Sequence, residues 1–373
     1  MCNLTNCRLC QSSEVILRLE FNDMPIFLWP VSQKSLGIQN HDLCVFVCAT
    51  CGHPQLQNLS EEFLDKLYKY DYINLDSPQV NLDRATVLRL LFQFSSRNIL
   101  DVGGATNSTH NLFKDSIYSI LDPQKPLSPE VIHLDGYISS VELTRDFYDY
   151  IFAFHIIEHL ENPRKDLIKL RKSLKNNGKL IIEVPDAEYY SNNLPFYLYF
   201  HQHINLFTQS SLQYLLNLSG FKRTEIMIHN GRILAVFEKD SQISLSAQYT
   251  KVEPDFVYKR DKEFFIKLEN SILRILNKNN SKDLDFLGAG GSSTLFFYHC
   301  PGILSRIRNI YDRDLRKVGS NLPGTELKIL ETPAKFESNT VYMGMGAIML
   351  EQWANYQSCN FIDILKVVKD LEI

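Results

Sequence analysis

The sequence lacks any uninterrupted apolar segment approaching the roughly 20 residues that cross a bilayer. Its N-terminal stretch, MCNLTNCRLCQSSEV, lacks the basic run followed by an apolar one that marks a secretory leader. A water-soluble, cytosolic chain is therefore expected. There is also no lysine or arginine run long enough to act as a basic arm, and with a formal net charge of -4 there is no positive field to gather phosphate backbones. Neither nucleic acid nor membrane is an expected partner. Internal repeats and low-complexity tracts are absent as well.

What is there is ordinary in composition. Hydrophobic residues make up 45% and charged residues 22% of the chain, the usage of folded globular proteins. At 373 residues the chain exceeds a comfortable single core, so two or three modules are expected. In a reducing compartment its eight cysteines are not expected to form disulfides, and their spacing reads as metal binding or packing.

Over residues 7–56, short apolar runs (VILRLEF, LCVFVC) alternate with turn residues and cysteine pairs, too thin a pattern for a core of its own. From 60 to 95 the leucines and aromatics recur at spacings of three and four, which predicts a helical connector. The segments NILDV, YSILD, EVIHLD, DYIFAFH, the amphipathic PRKDLIKLRKSLK and KLIIEVP then alternate strand and helix. That alternation predicts an α/β fold with a mostly parallel, doubly wound sheet. TEIMIHNGRILAVFE predicts a hairpin turning at Asn230 and Gly231. After a polar, irregular stretch near 242–253, a helix (DKEFFIKLENSILRIL) and DFLGAGGSSTLFFYH, RNIYDRD and TVYMGMGA predict a second, smaller Rossmann-like sheet. The expected organisation is a zinc-binding module over 1–58, a core with its helical connector over 59–241, and a C-terminal unit over 242–373.

Cys7 and Cys10 form one CxxC pair, and Cys48 and Cys51 form another that is followed at once by Gly52. Two such knuckles predict four thiolates around one Zn²⁺, a closed and therefore structural site. His53 and Cys44 lie nearby as bystanders; Cys2, Cys300 and Cys359 have no partner spacing.

In NILDVGGATNSTH a strand ends at Asp101 and a glycine turn follows at Gly103 and Gly104, where the backbone takes positive φ and lets a ligand approach. Asp101 is placed to accept from a cofactor's amino group. Asp122, ending YSILD, stands where a carboxylate accepts both ribose hydroxyls, and Asp135 where an adenine-contacting residue is expected. No complete GxGxxG is present here, which disfavours a nicotinamide cofactor. The succession of Gly loop, acid, acid, FHIIEHLENP and NNGKLIIEVP resembles the class I S-adenosylmethionine-dependent methyltransferases. That resemblance implies S-adenosylmethionine as cofactor and puts His155, Glu158 and His159 beside it. The loop departs from the usual GxGxG at Ala105 and Asn107.

YLYFHQHINLFTQSSL sets His201 and His203 beyond the fifth strand, on the side where open parallel sheets bind ligands. From CRLC through CATCG to DRDLRKVGSNLPGTELKI, nearly the whole chain resembles the sugar C-methyltransferases, which carry a zinc module, a methyltransferase core and a C-terminal Rossmann-like domain. The family's YHEH motif matches Phe200, His201, Gln202 and His203 here, so only the two histidines survive. The resemblance implies a nucleotide-activated keto-deoxy sugar as substrate and His203 as the base. The roles of the tyrosine and glutamate do not transfer to Phe200 and Gln202, although Gln202 retains an amide donor, and Tyr197 and Tyr199 are nearby hydroxyls. His229, Asn230, Gly231 and Arg232 resemble the family's HGGS segment, and a plain hairpin turn explains them equally. In the C-terminal unit, Gly288, Gly290 and Gly291 followed by Asp312 echo a dinucleotide fingerprint with its last glycine replaced by Ser293. Substrate support, with backbone amides cradling a phosphate, is the expected use. Three readings stay open: carbon methylation of a sugar, oxygen or nitrogen methylation of a related small molecule, and a decayed enzyme kept as a scaffold.

Overall fold

The structure is a computed structural model that describes residues 3–26, 28, 30, 40–60, 63, 84–86, 88–89, 97–104, 109–126, 128–229, 231–240, 255–278, 284–334, 340–345 and 360–371. Three sheets organise these residues. Strands β1 (Val15–Met24), β2 (His41–Cys48) and β3 (Pro54–Leu56) form a small antiparallel sheet in the order β1-β2-β3. The second sheet takes β4 (Asn98–Val102), β5 (Ile117–Asp122), β6 (Ile132–Asp135), β7 (Tyr148–Phe154), β8 (Leu174–Pro185), β9 (Phe221–His229) and β10 (Arg232–Lys239). Its order is β6-β5-β4-β7-β8-β10-β9, parallel except for β10, which runs antiparallel to both neighbours. That is the class I methyltransferase arrangement, with the hairpin expected from TEIMIHNGRILAVFE supplying the reversed strand. The third sheet, β11 (Leu284–Leu287), β12 (Ile307–Asp312), β13 (Ile329–Glu331), β14 (Val341–Gly344) and β15 (Asn360–Asp363), is ordered β13-β12-β11-β14-β15 with every pairing parallel. It is the smaller Rossmann-like sheet.

Local chemistry sets most boundaries. The helix Pro163–Ser173 opens on proline, whose missing N–H costs nothing in a first turn, and buries Leu167 and Leu170. The helix Gln209–Leu218 starts at a reciprocal capping box between Thr208 and Ser211. One boundary differs from the sequence reading: β8 begins at Leu174 rather than after Gly178, because buried Leu174 already pairs with Tyr148. Of the helical connector, Phe63, Arg84–Thr86, Leu88 and Arg89 are described and helical. The boundary stretch near 242–253, the turn residue Asn230, and Ala105 and Asn107 of the loop lie outside the described residues. Among the described residues no helix is long and apolar enough to cross a membrane.

Two findings amend the expectations for the N-terminal region. Its strands keep only a small cluster of their own, Leu4, Cys44 and Phe46, whereas Phe21, Met24, Leu43 and Val45 join Phe196, Tyr199, Phe265 and Phe296 in one hydrophobic cluster that runs into the third sheet. Cys7, Leu9, Cys48 and Cys51 belong to another, shared with Leu212, Leu215 and Ile233 of the central sheet's flank. Burial against neighbours, then, holds what local patterning left unsupported. The second finding corrects the expectation of reduced thiols throughout: Cys44 is disulfide-bonded. Composition tells which thiols exist, and only the fold tells which of them meet.

Candidate active site

Parallel strands direct their C-terminal ends to one rim, and there β4, β5, β7 and β8 deliver Asp101, Asp122, His155 and Glu183. Asp101 is fully buried and accepts a 2.7 Å hydrogen bond from the Tyr118 hydroxyl. It lies under the glycine turn, because a Cβ at Gly104 would run into its carboxylate. Gly103 has φ 74°, and a side chain there would strike Ile156. The turn therefore packs its backbone directly on Asp101 and Ile156, a close approach that only glycine permits. Asp122 and Asp135 are cross-strand partners on β5 and β6; Asp122 is half-buried, Asp135 exposed.

The densest electrostatics surround His155. Its Nδ1 donates to Glu158 at 3.1 Å and its Nε2 to Glu183 at 3.0 Å. Burial works to lower its pKa, but the hydrogen bonds and charges of these two carboxylates more than reverse that and lift it to about 10. Glu183 in turn is met by Arg84 at 2.7 Å and by Arg232 at 3.7 Å. Against the upward pull of burial, His155 and Arg84 bring it down to about 2. A fixed imidazolium thus faces the rim, braced from below by two carboxylates. The sequence reading singled out neither Glu183 nor Arg84. A carboxylate within the apolar run KLIIEVP was the available signal.

His159 Nδ1 donates to the Gln202 carbonyl at 2.6 Å, and its Nε2 lies 3.9 Å from Glu158 Oε1. Its ring meets that of His203 at 5.0 Å, and the ligand atoms of Glu158, His159 and His203 lie within 4.8 Å of one another. Glu158 is buried, and its Oε2 has no hydrogen-bond partner. Burial, helped by the charges of His159 and His155, drives the pKa of His203 well down, so its imidazole is neutral at pH 7. The Phe200 ring lies 4.1 Å from that of His203.

The other candidates from this segment go elsewhere. His201 is buried between His41 and Phe63, its pKa lowered to about 4 by burial first and His41 second. Gln202 takes part through its backbone carbonyl. Tyr199 is enclosed in the core against Phe21, whereas the Tyr197 ring packs at a tilt between those of Tyr190 and Phe200. In the third sheet, Asp312 accepts from the Ala289 amide and from Lys317, both at 2.8 Å, so it shapes the glycine turn. Gly291 of that turn packs against Tyr197 and Leu28, which brings the turn alongside the aromatic segment.

At the far end of the N-terminal sheet, Cys7 Sγ lies 3.6 Å from Cys51 Sγ, and Cys10 Sγ 3.6 Å from Cys48 Sγ. All four lie within 4.8 Å of one another. Each knuckle closes with a backbone bond, Gln11 to Cys7 at 2.9 Å and Gly52 to Cys48 at 2.8 Å, and the Cys51 amide points at Cys48 Sγ. Thiols so crowded share protons, with Cys48 pulled down and Cys10 and Cys51 pushed up by their mutual hydrogen bonds. All four can ionise together only with a cation between them, and the donor set fits tetrahedral zinc.

A family model described as a methyltransferase domain matches residues 79–226. Solved structures with a related fold include a Burkholderia thailandensis 1,6-didemethyltoxoflavin N1-methyltransferase with bound S-adenosylhomocysteine. It is 13% identical, the alignment covering 44% of this chain and 80% of that one, with a TM-score of 0.37. A Pyrococcus horikoshii protein is 15% identical over 49% of this chain and 100% of that one, at 0.38. A Haloferax volcanii putative methyltransferase, in complex with the Trm112 methyltransferase activator, is 12% identical over 43% and 89%, at 0.37. No curated protein sequence matches the chain. Structural likeness this weak transfers no substrate. The strand order and glycine turn, with the family match, define the class: this chain is an enzyme, an S-adenosylmethionine-dependent methyltransferase.

Proposed function

We propose that the enzyme methylates carbon on a nucleotide-activated keto-deoxy sugar, with His203 as the base. One observation supports the reading: the imidazole of His203 lies within reach of Glu158 and His159, its ring 5.0 Å from that of His159. Carbon becomes a nucleophile when a proton leaves the position beside a ketone, and a neutral imidazole accepts that proton near pH 7. The His155 imidazolium, held by Glu158 and Glu183, would bear on negative charge developing on a ketone oxygen bound beside it. Bound S-adenosylmethionine would supply an electrophilic methyl group, held by Asp101, Gly103, Gly104, Asp122, Asp135 and His155. The glycine turn after β11 would support the sugar's phosphates. The three sheets support a division at 58 and 241.

The four cysteines would hold one structural zinc per chain. Metal analysis of purified protein is expected to return one equivalent; none, with four freely titratable thiols, would overturn it. Oxygen or nitrogen methylation is favoured by a specific feature, the hydroxyl-free Phe200 ring packed on His203 where the sugar family has tyrosine. Incubating keto sugars with enzyme in D₂O without methyl donor separates the two. Carbon chemistry predicts deuterium uptake beside the ketone that His203→Ala reduces by roughly 10²-fold or more, the scale of general base catalysis. Methyl transfer without any such exchange would establish the second reading.

A further inference from the structure

We infer that Asn205 is a positioning residue: it clasps the cysteine-bearing module to the loop that carries Glu158 and His159, so the metal cluster sets the geometry of the catalytic rim. The inference rests on the metal and His203 readings above and adds a physical link between them.

The link starts in the knuckles. Arg8, between Cys7 and Cys10, is buried and donates to the carbonyls of Leu56 at 2.7 Å, Gln57 at 3.1 Å and Ile204 at 3.5 Å. Two residues after Cys51, the ring of His53 donates from Nε2 to Asn205 Oδ1 at 3.4 Å and packs 5.3 Å from the Phe207 ring. Between these anchors β3 pairs with the chain just past His203: Leu56 N to Ile204 O at 2.9 Å and Leu206 N to Pro54 O at 3.1 Å. Gln55 and Asn205 form the bridge. The catalytic loop is, in effect, one more strand of the cysteine module.

Asn205 then reaches the other way. Its amide donates to Glu158 O at 3.0 Å, and its side-chain Nδ2 to Leu160 O at 2.8 Å, Glu158 O at 3.4 Å and Ile157 O at 3.5 Å. These carbonyls belong to the short turn Ile157–His159 and the residue after it, a helix end whose orphan acceptors need partners. The side chain is buried and bonded at both ends. It fixes the backbone of Glu158 and His159 relative to His203, while the 2.6 Å bond from His159 to the Gln202 carbonyl closes the ring. A methyl-transfer site loses rate when reacting groups drift by an ångström, and no other described side chain bonds both to His53 and to this turn.

Hydrogen exchange on the full chain tests the clasp. In metal-loaded Asn205→Ala, amides over 157–160 and 203–206 are expected to exchange roughly tenfold faster, the loss of one or two buried hydrogen bonds. Those of β5 and the metal content stay unchanged. The ¹⁵N resonance of His159 Nδ1, which the bond to the Gln202 carbonyl holds, should shift in the variant, which a general loss of stability would not produce. Asn205→Asp, which keeps an acceptor for His53 and loses the donor to Leu160, should reproduce the effect over 157–160 if the alanine variant misfolds. Stripping metal from the unmutated chain should accelerate the same amides as strongly. If stripping frees residues 7–11 and 48–52 and leaves 157–160 and 203–206 protected, the inference falls. It falls equally if the variants leave His159 unchanged. Finding no metal in the purified chain would sink the zinc reading and with it the metal's hold on the rim; the two Asn205 variants still decide whether the cysteine module is clasped to the loop.

Discussion

His155 occupies a left-handed backbone conformation, φ 54°, which a residue with a side chain keeps only where its surroundings over-determine it. The surroundings are Glu158 and Glu183, and together they convert a residue that normally loses its charge near neutrality into a lasting cation. The pH dependence follows from the two shifts. His155 is raised from 6.5 to about 10, so its contribution is complete below pH 6.5 and is lost as pH rises through about 10. Glu183 is lowered from 4.5 to about 2, so the same interaction is complete above pH 4.5 and is lost as pH falls through about 2. The pair is at full strength between roughly pH 4.5 and 6.5. Replacing Glu183 with glutamine leaves Arg84 buried without its carboxylate and His155 with one brace instead of two. Urea unfolding should show a loss of about 3 kcal/mol, the scale for breaking a buried pair, and a weaker fall in stability between pH 7 and 10. An unchanged alkaline slope would mean that Glu183 does not hold the proton on His155.

At the scale of elements, legibility follows sequence distance. Both CxxC knuckles, the glycine turn after β4 and the hairpin of β9 and β10 are local patterns whose geometry is set within a few residues, so the sequence announces them. Asn205 is the opposite case: its partner His53 lies 152 positions away, and nothing in HINLF marks one asparagine as a clasp. The strands β13 and β15 and the helix Ile364–Asp370 were likewise not foreseen, being short segments whose apolar faces are defined only by the sheet they join. Two neighbours in the candidate segment part for the same reason. His201 and His203 are two apart in sequence, yet one turns into the packing around His41 and Phe63 and the other to the rim. Where the local signal does suffice, it is strict. Gly103→Ala places a Cβ at φ 74° and against Ile156. Such a substitution should cost about 1 to 3 kcal/mol of stability and weaken S-adenosylmethionine binding about tenfold or more by lifting the turn off the rim. Calorimetry showing wild-type affinity would remove the turn from the cofactor site.

Across the whole molecule, the N-terminal sheet ties the other two together. Its cysteine end packs with the central sheet's cluster, and its aromatic end packs with the third sheet through residues 196–206. Phe21 marks the second junction: it is buried, with its ring 5.4 Å from Tyr199, 6.4 Å from Phe265 and 5.3 Å from His299. Those three neighbours come from the aromatic segment, the helix Lys262–Lys278 and the helix Gly291–His299. A cavity at Phe21 therefore opens between units that the linear sequence keeps far apart, Phe265 lying 244 positions (265 − 21) from Phe21. Phe21→Ala is expected to destabilise by about 3 to 5 kcal/mol, the range for deleting a buried ring. Because the cluster is shared, the loss should not stay in the small sheet. Hydrogen exchange in the variant should accelerate in the helix Lys262–Lys278 as well as in β1, while β5 in the central sheet stays protected. Acceleration confined to β1 and β2 would show instead that the N-terminal sheet can loosen alone, and that the third sheet keeps its packing without it.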